Sequence, residues 1–113
     1  MPSVSREWRL YWQDVIASCR KIERYTLGMD REAFEADERT YDAVLRNLEL
    51  IGEAVKQLPD EARALAADVE WRKIAGTRDF IAHAYFGIDG DILWDVVSNK
   101  IPELRRALEV VPI

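Results

Sequence analysis

The sequence of 113 residues contains very little cysteine or histidine, with one residue of each, Cys19 and His83. A lone cysteine cannot form a disulfide within the chain, which fits a reducing compartment, so we expect a cytoplasmic protein. One histidine and one cysteine are also too few for the usual structural or catalytic zinc sites. We therefore expect chemistry that uses no metal.

Long apolar runs are missing as well. No stretch of about 18 uncharged apolar residues is present, so we expect no membrane span. The first seven residues lack an apolar signal core, which argues against secretion. Glycine and proline are scarce, with five and four residues, and neither a glycine-rich phosphate loop nor a nucleophile elbow occurs. The sequence thus predicts no cofactor, and its length predicts a single domain over residues 1–113.

The charge is acidic overall but uneven. A net charge of −5 argues against an indiscriminate binder of nucleic acid. Residues 71–86 nevertheless carry a local excess of positive charge, from Arg72, Lys73 and Arg78 against Asp79. Residues 30–42 are the acidic counterpart, which we interpret as a solvated face. The basic segment weakens the objection that the net charge raises against RNA binding.

Apolar residues at helical spacing recur four times, and no segment alternates as a strand does. The first helix is predicted over about residues 7–25 with Ser5 as its N-cap. The second long helix is predicted over residues 37–58, where Pro59 ends it. Apolar residues follow one another three or four positions apart in both, at Trp8, Trp12, Val15, Cys19 and Ile22 in the first and at Tyr41, Val44, Leu48, Ile51, Val55 and Leu58 in the second.

Shorter elements complete the helical pattern. Asp30 and Asp60 are predicted to cap short helices that reach about residues 34 and 67. The last helix is predicted to start with Asp89 or Asp91 as its cap. Pro102 lies inside that helix and lacks an N–H group, so we expect a kink or a break there. The chain as a whole is predicted to be an all-α bundle.

Residues 71–86 differ from the other helical stretches because a charged side chain falls in the apolar stripe, which consists of Trp71, Ile74, Arg78, Ile81 and Tyr85. Asp79 and His83 are four residues apart, so on a helix Asp79 can orient the imidazole. Arg78 and His83 are about 140° apart around the helix, a gap that a long guanidinium can bridge where a second copy packs alongside. Apolar residues on more than one side of this helix predict a homodimer.

These side chains suit cleavage of a phosphodiester without a metal. A histidine can take a proton from a ribose 2′-hydroxyl or give one to the leaving oxygen. A guanidinium can bind the phosphate by two hydrogen bonds and stabilise the charge of the transition state, and a tyrosine hydroxyl can position the same phosphate. Spacing alone leaves structural roles open: a satisfied His83, a salt bridge of Arg78 with Asp79, and a core position for Tyr85.

The segment Arg78-Asp79-Phe80-Ile81-Ala82-His83-Ala84-Tyr85 resembles the Arg-x4-His-x-Tyr signature of HepT-like proteins in the HEPN superfamily. The flanking residues 71–76 and 85–89 resemble those of the family, and so do residues 37–40 and 48–54 upstream. The resemblance covers nearly the whole chain. It implies an all-α bundle of four to five helices that forms a homodimer, with the motif helices at the two-fold axis.

The resemblance also implies a function. It implies the toxin of a toxin–antitoxin pair, a metal-independent ribonuclease in which Arg78 binds phosphate, His83 does acid–base work and Asp79 orients His83. The implied partner is a minimal nucleotidyltransferase antitoxin that transfers AMP to Tyr85 and so adds negative charge at the cleft. The alternative is a non-catalytic helical module that pairs with a nucleotidyltransferase or RNA. The acidic charge favours that alternative, whereas the complete motif favours catalysis.

Overall fold

The computed structural model describes residues 7–77, 81 and 89–113. Across these residues the chain is helical and contains no strand, as the all-α HEPN-type prediction requires. The helices are α1 Trp8–Tyr25, α2 Arg31–Ala36, α3 Glu38–Lys56, α4 Asp60–Arg63, α5 Trp71–Ala75, α6 Gly90–Asp95 and α7 Ile101–Glu109. A 3-10 turn, Ala64–Ala66, follows α4, and a π-helical turn, Val96–Lys100, joins α6 to α7.

The core lies where α1 packs along α3 and against α7. The stripes predicted for α1 and α3 are confirmed, because their central residues are buried while Trp8 and Tyr41, at the ends, are only half-buried. Burial of each large apolar side chain contributes about 1.5–3 kcal/mol to stability. The buried stripe residues are Trp12, Val15, Cys19 and Ile22 of α1, and Val44, Leu48, Ile51 and Val55 of α3 with Leu58 just after it. The core is completed by the buried side chains of Val97, Ile101, Leu104 and Leu108 toward the C-terminus.

Trp12 of α1 joins its helix to two other elements of this core. Its indole Nε1 donates a hydrogen bond to the carbonyl of Leu108 at 3.2 Å, which ties α1 to the end of α7. Its ring meets Trp8 edge-on at 5.9 Å between centroids and lies 6.0 Å from the ring of Trp71. The completely buried Trp12 therefore links the long helices to the start of α5.

Aspartate side chains cap three helices at or near their predicted starts. Asp30 caps α2, Asp37 caps α3 and Asp89 caps α6, each by accepting a hydrogen bond from a backbone N–H two or three residues later. The bond from the N–H of Thr40 lowers the pKa of Asp37, since it stabilises the carboxylate. Such caps satisfy N–H groups that the first turn leaves without a partner.

One predicted cap, Asp60, is wrong, and another, Ser5, lies outside the described residues. The carboxylate of Glu7 caps α1, by accepting from the N–H of Arg9 at 3.2 Å. Asp60 is the first residue of α4, and Pro59 occupies the cap position without a side-chain bond. The helix predicted to run to about residue 67 is correspondingly short, because α4 passes into a 3-10 turn at Ala64.

Pro102 changes the form of the last helix without breaking it. The N–H of Ile101 donates to the carbonyl of Val96, five residues back, which makes the preceding turn a π-helical one. Pro102 therefore stands in the first turn of α7, where a missing N–H has no cost. The predicted kink or break thus takes the form of a single widened turn, Val96–Lys100.

Candidate functional site

The four predicted site residues, Arg78, Asp79, His83 and Tyr85, lie outside the described residues. The structure does describe the chain that leads into this motif, the chain that leaves it, and Ile81 within it. Ile81 is helical and buried in the core cluster, as its place in the predicted stripe requires. The geometry that can be described is therefore that of the residues before and after the motif, together with Ile81.

The approach to the motif is held by Trp71 at the start of α5. The indole Nε1 of Trp71 donates to the carbonyls of Arg63 and Ala66 at 3.0 and 3.1 Å, and its buried ring packs toward Trp12. These bonds satisfy carbonyl groups at the end of α4 and in the 3-10 turn. The start of α5 is therefore fixed to both the core and the preceding turn.

The helix predicted over residues 71–86 is interrupted at its fifth residue. α5 ends at Ala75, and Gly76 forms the C-cap with φ −80° and ψ 2°. Thr77 follows in helical conformation, and its hydroxyl donates to the carbonyl of Ile74. The prediction of one continuous helix is wrong at this point, where the weak helix propensity of glycine outweighs the apolar periodicity. The turn lies directly before Arg78.

This turn rests on the backbone of α3 at Gly52. A Cβ placed on Gly52 would lie 3.4 Å from the carbonyl oxygen of Ile74 and 3.4 Å from the Cβ of Thr77. No local pattern in the sequence indicates that Gly52 and Thr77 are neighbours.

The chain that leaves the motif is held at the start of α6. Arg31 of α2 bonds to Glu35 at 2.9 Å and also to Asp91 of α6, and these hydrogen bonds raise the pKa of the guanidinium. A Cβ on Gly90 would lie only 2.6 Å from Arg31 Nη2, so a larger residue would displace this arginine. The pairing of α2 with α6 was missed in the sequence, where residues 30–42 were interpreted only as a solvated face.

A groove of about 560 Å³ opens beside Thr77, between α3, α5 and the π-helical turn. Its surface is mainly apolar, with Leu48, Ile51, Ile74, Val96, Ile101 and Leu104 among its lining residues. Four carboxylates and two amines line it as well, namely Asp68, Glu70, Asp95 and Glu103 with Lys73 and Lys100. Both amines are paired, to Glu70 at 2.5 Å and to Glu103 at 3.9 Å. The groove therefore offers an apolar surface and no excess of positive charge for a phosphate.

Other chemistry finds little support in the described part of the chain. Burial raises the pKa of the Cys19 thiol to about 12, so this sulfur is no nucleophile. Residues 7–77, 81 and 89–113 contain no group of three or more histidine, cysteine or acidic side chains placed to hold a metal ion. No helix among them is long and apolar enough to cross a membrane.

Comparisons with known proteins agree on one family. The family model described as "Ribonuclease HepT-like" matches residues 15–111. "Probable ribonuclease HepT" of Thermococcus cleftensis is 38% identical over 94% of this chain and 96% of its own length. Proteins named "Putative RNase" from Methanocaldococcus jannaschii and Caldanaerobacter subterraneus are each 37% identical, over 94% and 91% of this chain and 88% and 92% of theirs. No solved structure matches this chain.

Proposed function

This chain belongs to the HepT-like ribonuclease family, and on that premise we propose that it is a toxin that cleaves RNA without a metal, through Arg78 and His83. One observation carries the proposal: the complete Arg78-x4-His83-x-Tyr85 motif lies inside the matched residues 15–111. The relatives that share this stretch are named as ribonucleases.

The reaction we propose uses the 2′-hydroxyl of the RNA as its nucleophile. An imidazole takes the proton of that hydroxyl, the 2′-oxygen bonds to phosphorus, and the bond from phosphorus to the 5′-oxygen breaks as that oxygen receives a proton. Arg78 binds the phosphate oxygens and stabilises their developing charge, while Asp79 orients His83. The products are a 2′,3′-cyclic phosphate and a 5′-hydroxyl.

This reaction favours a homodimer. It requires both a base and an acid, yet each chain has one histidine, His83. Two copies facing a shared cleft supply both roles. The apolar groove beside Thr77, with the half-exposed Ile92 at its edge, supports an interface on this side of the bundle. Sedimentation at micromolar concentration tests the proposal, and a monomer would contradict the shared cleft.

Cleavage in EDTA is the direct test of the metal-independent route. Purified protein incubated with total RNA in EDTA should cut it and leave 2′,3′-cyclic phosphate ends. A substrate with 2′-deoxyribose at the scissile position is the matched control and should remain intact, because it lacks the nucleophile. A requirement for magnesium, or cleavage of the deoxy substrate, would contradict the mechanism.

Regulation is proposed to act on Tyr85. A minimal nucleotidyltransferase antitoxin would catalyse attack of the Tyr85 hydroxyl on the α-phosphorus of ATP, with release of pyrophosphate. The added phosphate would repel RNA from the cleft. Mass spectrometry of the chain co-expressed with its cognate transferase should map AMP to Tyr85, and Tyr85→Phe should resist modification. AMP on another residue, or no adduct with an active transferase, would reject this step.

A second candidate function is a non-catalytic module that pairs with a nucleotidyltransferase or RNA. The net charge of −5 and the carboxylates along the groove favour it. The EDTA assay separates the two functions, since a binding module leaves RNA intact.

A further inference from the structure

Gly52 lies in the interior of α3, a helix of 19 residues, and it is buried. Glycine is among the weakest helix formers because it loses the most backbone freedom on folding. Its neighbours Glu53 and Ala54 are strong helix formers. A glycine at this position weakens α3, so its presence requires a reason in the packing.

That reason is the contact with the turn after α5. The Ile74 carbonyl oxygen and the Thr77 Cβ each lie 3.4 Å from the point where a Cβ of Gly52 would stand, and the Thr77 hydroxyl oxygen lies 3.9 Å from it. The same hydroxyl donates to the same carbonyl. The two groups that face Gly52 are thus bonded to each other, and they rest on α3 as one unit.

We propose that Gly52 is a positioning residue for RNA cleavage: by letting this turn pack directly on the α3 backbone, it fixes Thr77 and through it Arg78. The inference rests on the proposed function, since it takes Arg78 as the phosphate-binding residue. Consecutive Cα atoms are 3.8 Å apart across a rigid peptide, so a displacement of Thr77 passes directly to Arg78. A misplacement of about 1 Å can lower a catalytic rate by about 100-fold.

A graded series at Gly52 tests the role. Gly52→Ala places a methyl group at the limit of ordinary contact, and Gly52→Val adds two further carbons toward the turn. We expect kcat to fall by about 3–10-fold for alanine and by about 100-fold or more for valine, with KM for RNA little changed. The melting temperature of Gly52→Ala should equal or exceed that of the wild type, because alanine is the better helix former.

The matched control is Ala54→Gly, two residues along the same helix and also buried. It makes the opposite change and should lower the melting temperature while kcat is retained. A merely structural role for Gly52 predicts instead that stability and activity fall together. A second test combines Gly52→Ala with Thr77→Gly, which removes the Cβ that contacts Gly52. In the Thr77→Gly background, Gly52→Ala should lower kcat by a smaller factor than it does in the wild type.

Amide NMR spectra provide a readout that needs no activity. Gly52→Ala should shift the amide resonances of residues 74–78 more than Ala54→Gly does. A wild-type protein that does not cleave RNA would overturn the proposed function, whereas shifted amides would still support the contact at Gly52. With an active wild type, an unchanged kcat in both Gly52→Ala and Gly52→Val would overturn this inference alone.

Discussion

α1 and α3 are 18 and 19 residues long, whereas α4, α5 and α6 have four, five and six. We call α1, α3 and α7 the long-helix side of the molecule, and residues 59–77 with 89–100 the short-helix side. The long-helix side is stabilised by continuous buried stripes. Helices as short as those of the other side have little stability of their own.

The short-helix side therefore depends on individual contacts. Trp71 donates hydrogen bonds to two carbonyls of the preceding turns, and the turn at Thr77 packs on Gly52. The salt bridge from Arg31 to Asp91 joins α2 to α6. The segment that carries the predicted catalytic residues is attached at both ends to this side. The long helices therefore supply most of the buried apolar surface, and a few contacts on the short-helix side hold the described residues that flank the motif.

The largest loss of stability is expected from Trp12→Ala, on the long-helix side. The change empties a completely buried site and removes the bond to the Leu108 carbonyl. We expect a loss of about 3–5 kcal/mol in the free energy of unfolding, measured by urea denaturation. Trp8→Ala, at a half-buried site on the same helix, is the control and should cost less. A larger loss of stability in Trp8→Ala than in Trp12→Ala would contradict the proposal that Trp12 is a main stabilising residue of the core.

A smaller loss is expected from Trp71→Phe, on the short-helix side. Phenylalanine keeps most of the ring but removes the donor to the Arg63 and Ala66 carbonyls. We expect a loss of about 1–3 kcal/mol together with slower RNA cleavage, since α5 leads into the motif. Trp94→Phe, a half-buried tryptophan that stacks on Phe34, is the control. Full activity in Trp71→Phe would contradict the proposal that contacts on the short-helix side position the motif.

The smallest effect is expected from Asp37→Ala, and it depends on pH. The folded pKa of Asp37 is lowered by the bond from the Thr40 N–H. The contribution of Asp37 to the free energy of unfolding is therefore present above the unfolded pKa of about 3.9. It is lost as the pH falls through the lower pKa of the folded state. Asp37→Ala should lower the urea midpoint at pH 7 and hardly change it near pH 2. Asp42→Ala removes an exposed charge from α3 without removing a cap, and it should lower the urea midpoint at pH 7 by less than Asp37→Ala does.

Features that depend on local spacing could be predicted from the sequence. The stripes of α1 and α3 and the cap at Asp30 are predicted correctly, and the cap of α6 is narrowed to Asp89 or Asp91, because each follows from residues within one or two turns. The disruption at Pro102 was expected, but its form as a π-helical turn depends on packing. The motif residues themselves were found in the sequence, and their placement lies outside the described residues.

Contacts between distant residues could not be predicted. The bond between Arg31 and Asp91 joins parts of the chain that are 60 positions apart, and no local pattern marks it. The end of α5 before Gly76 could not be predicted because the helical spacing of the stripe continues from Ile74 to Ile81. The contact of Gly52 with Thr77 likewise depends on how α3 and α5 pack, which the sequence of neither segment reveals.

The central claim is that His83 cleaves RNA within a fold that does not depend on it. The most direct measurement is the single-turnover rate of RNA cleavage in EDTA by the wild type and by His83→Ala, alongside their circular dichroism and melting temperatures. The account predicts a fall of about 10²–10⁴ in rate with an unchanged helical signal and melting temperature. A His83→Ala protein that cleaves at the wild-type rate, or that loses its fold together with its activity, would contradict it.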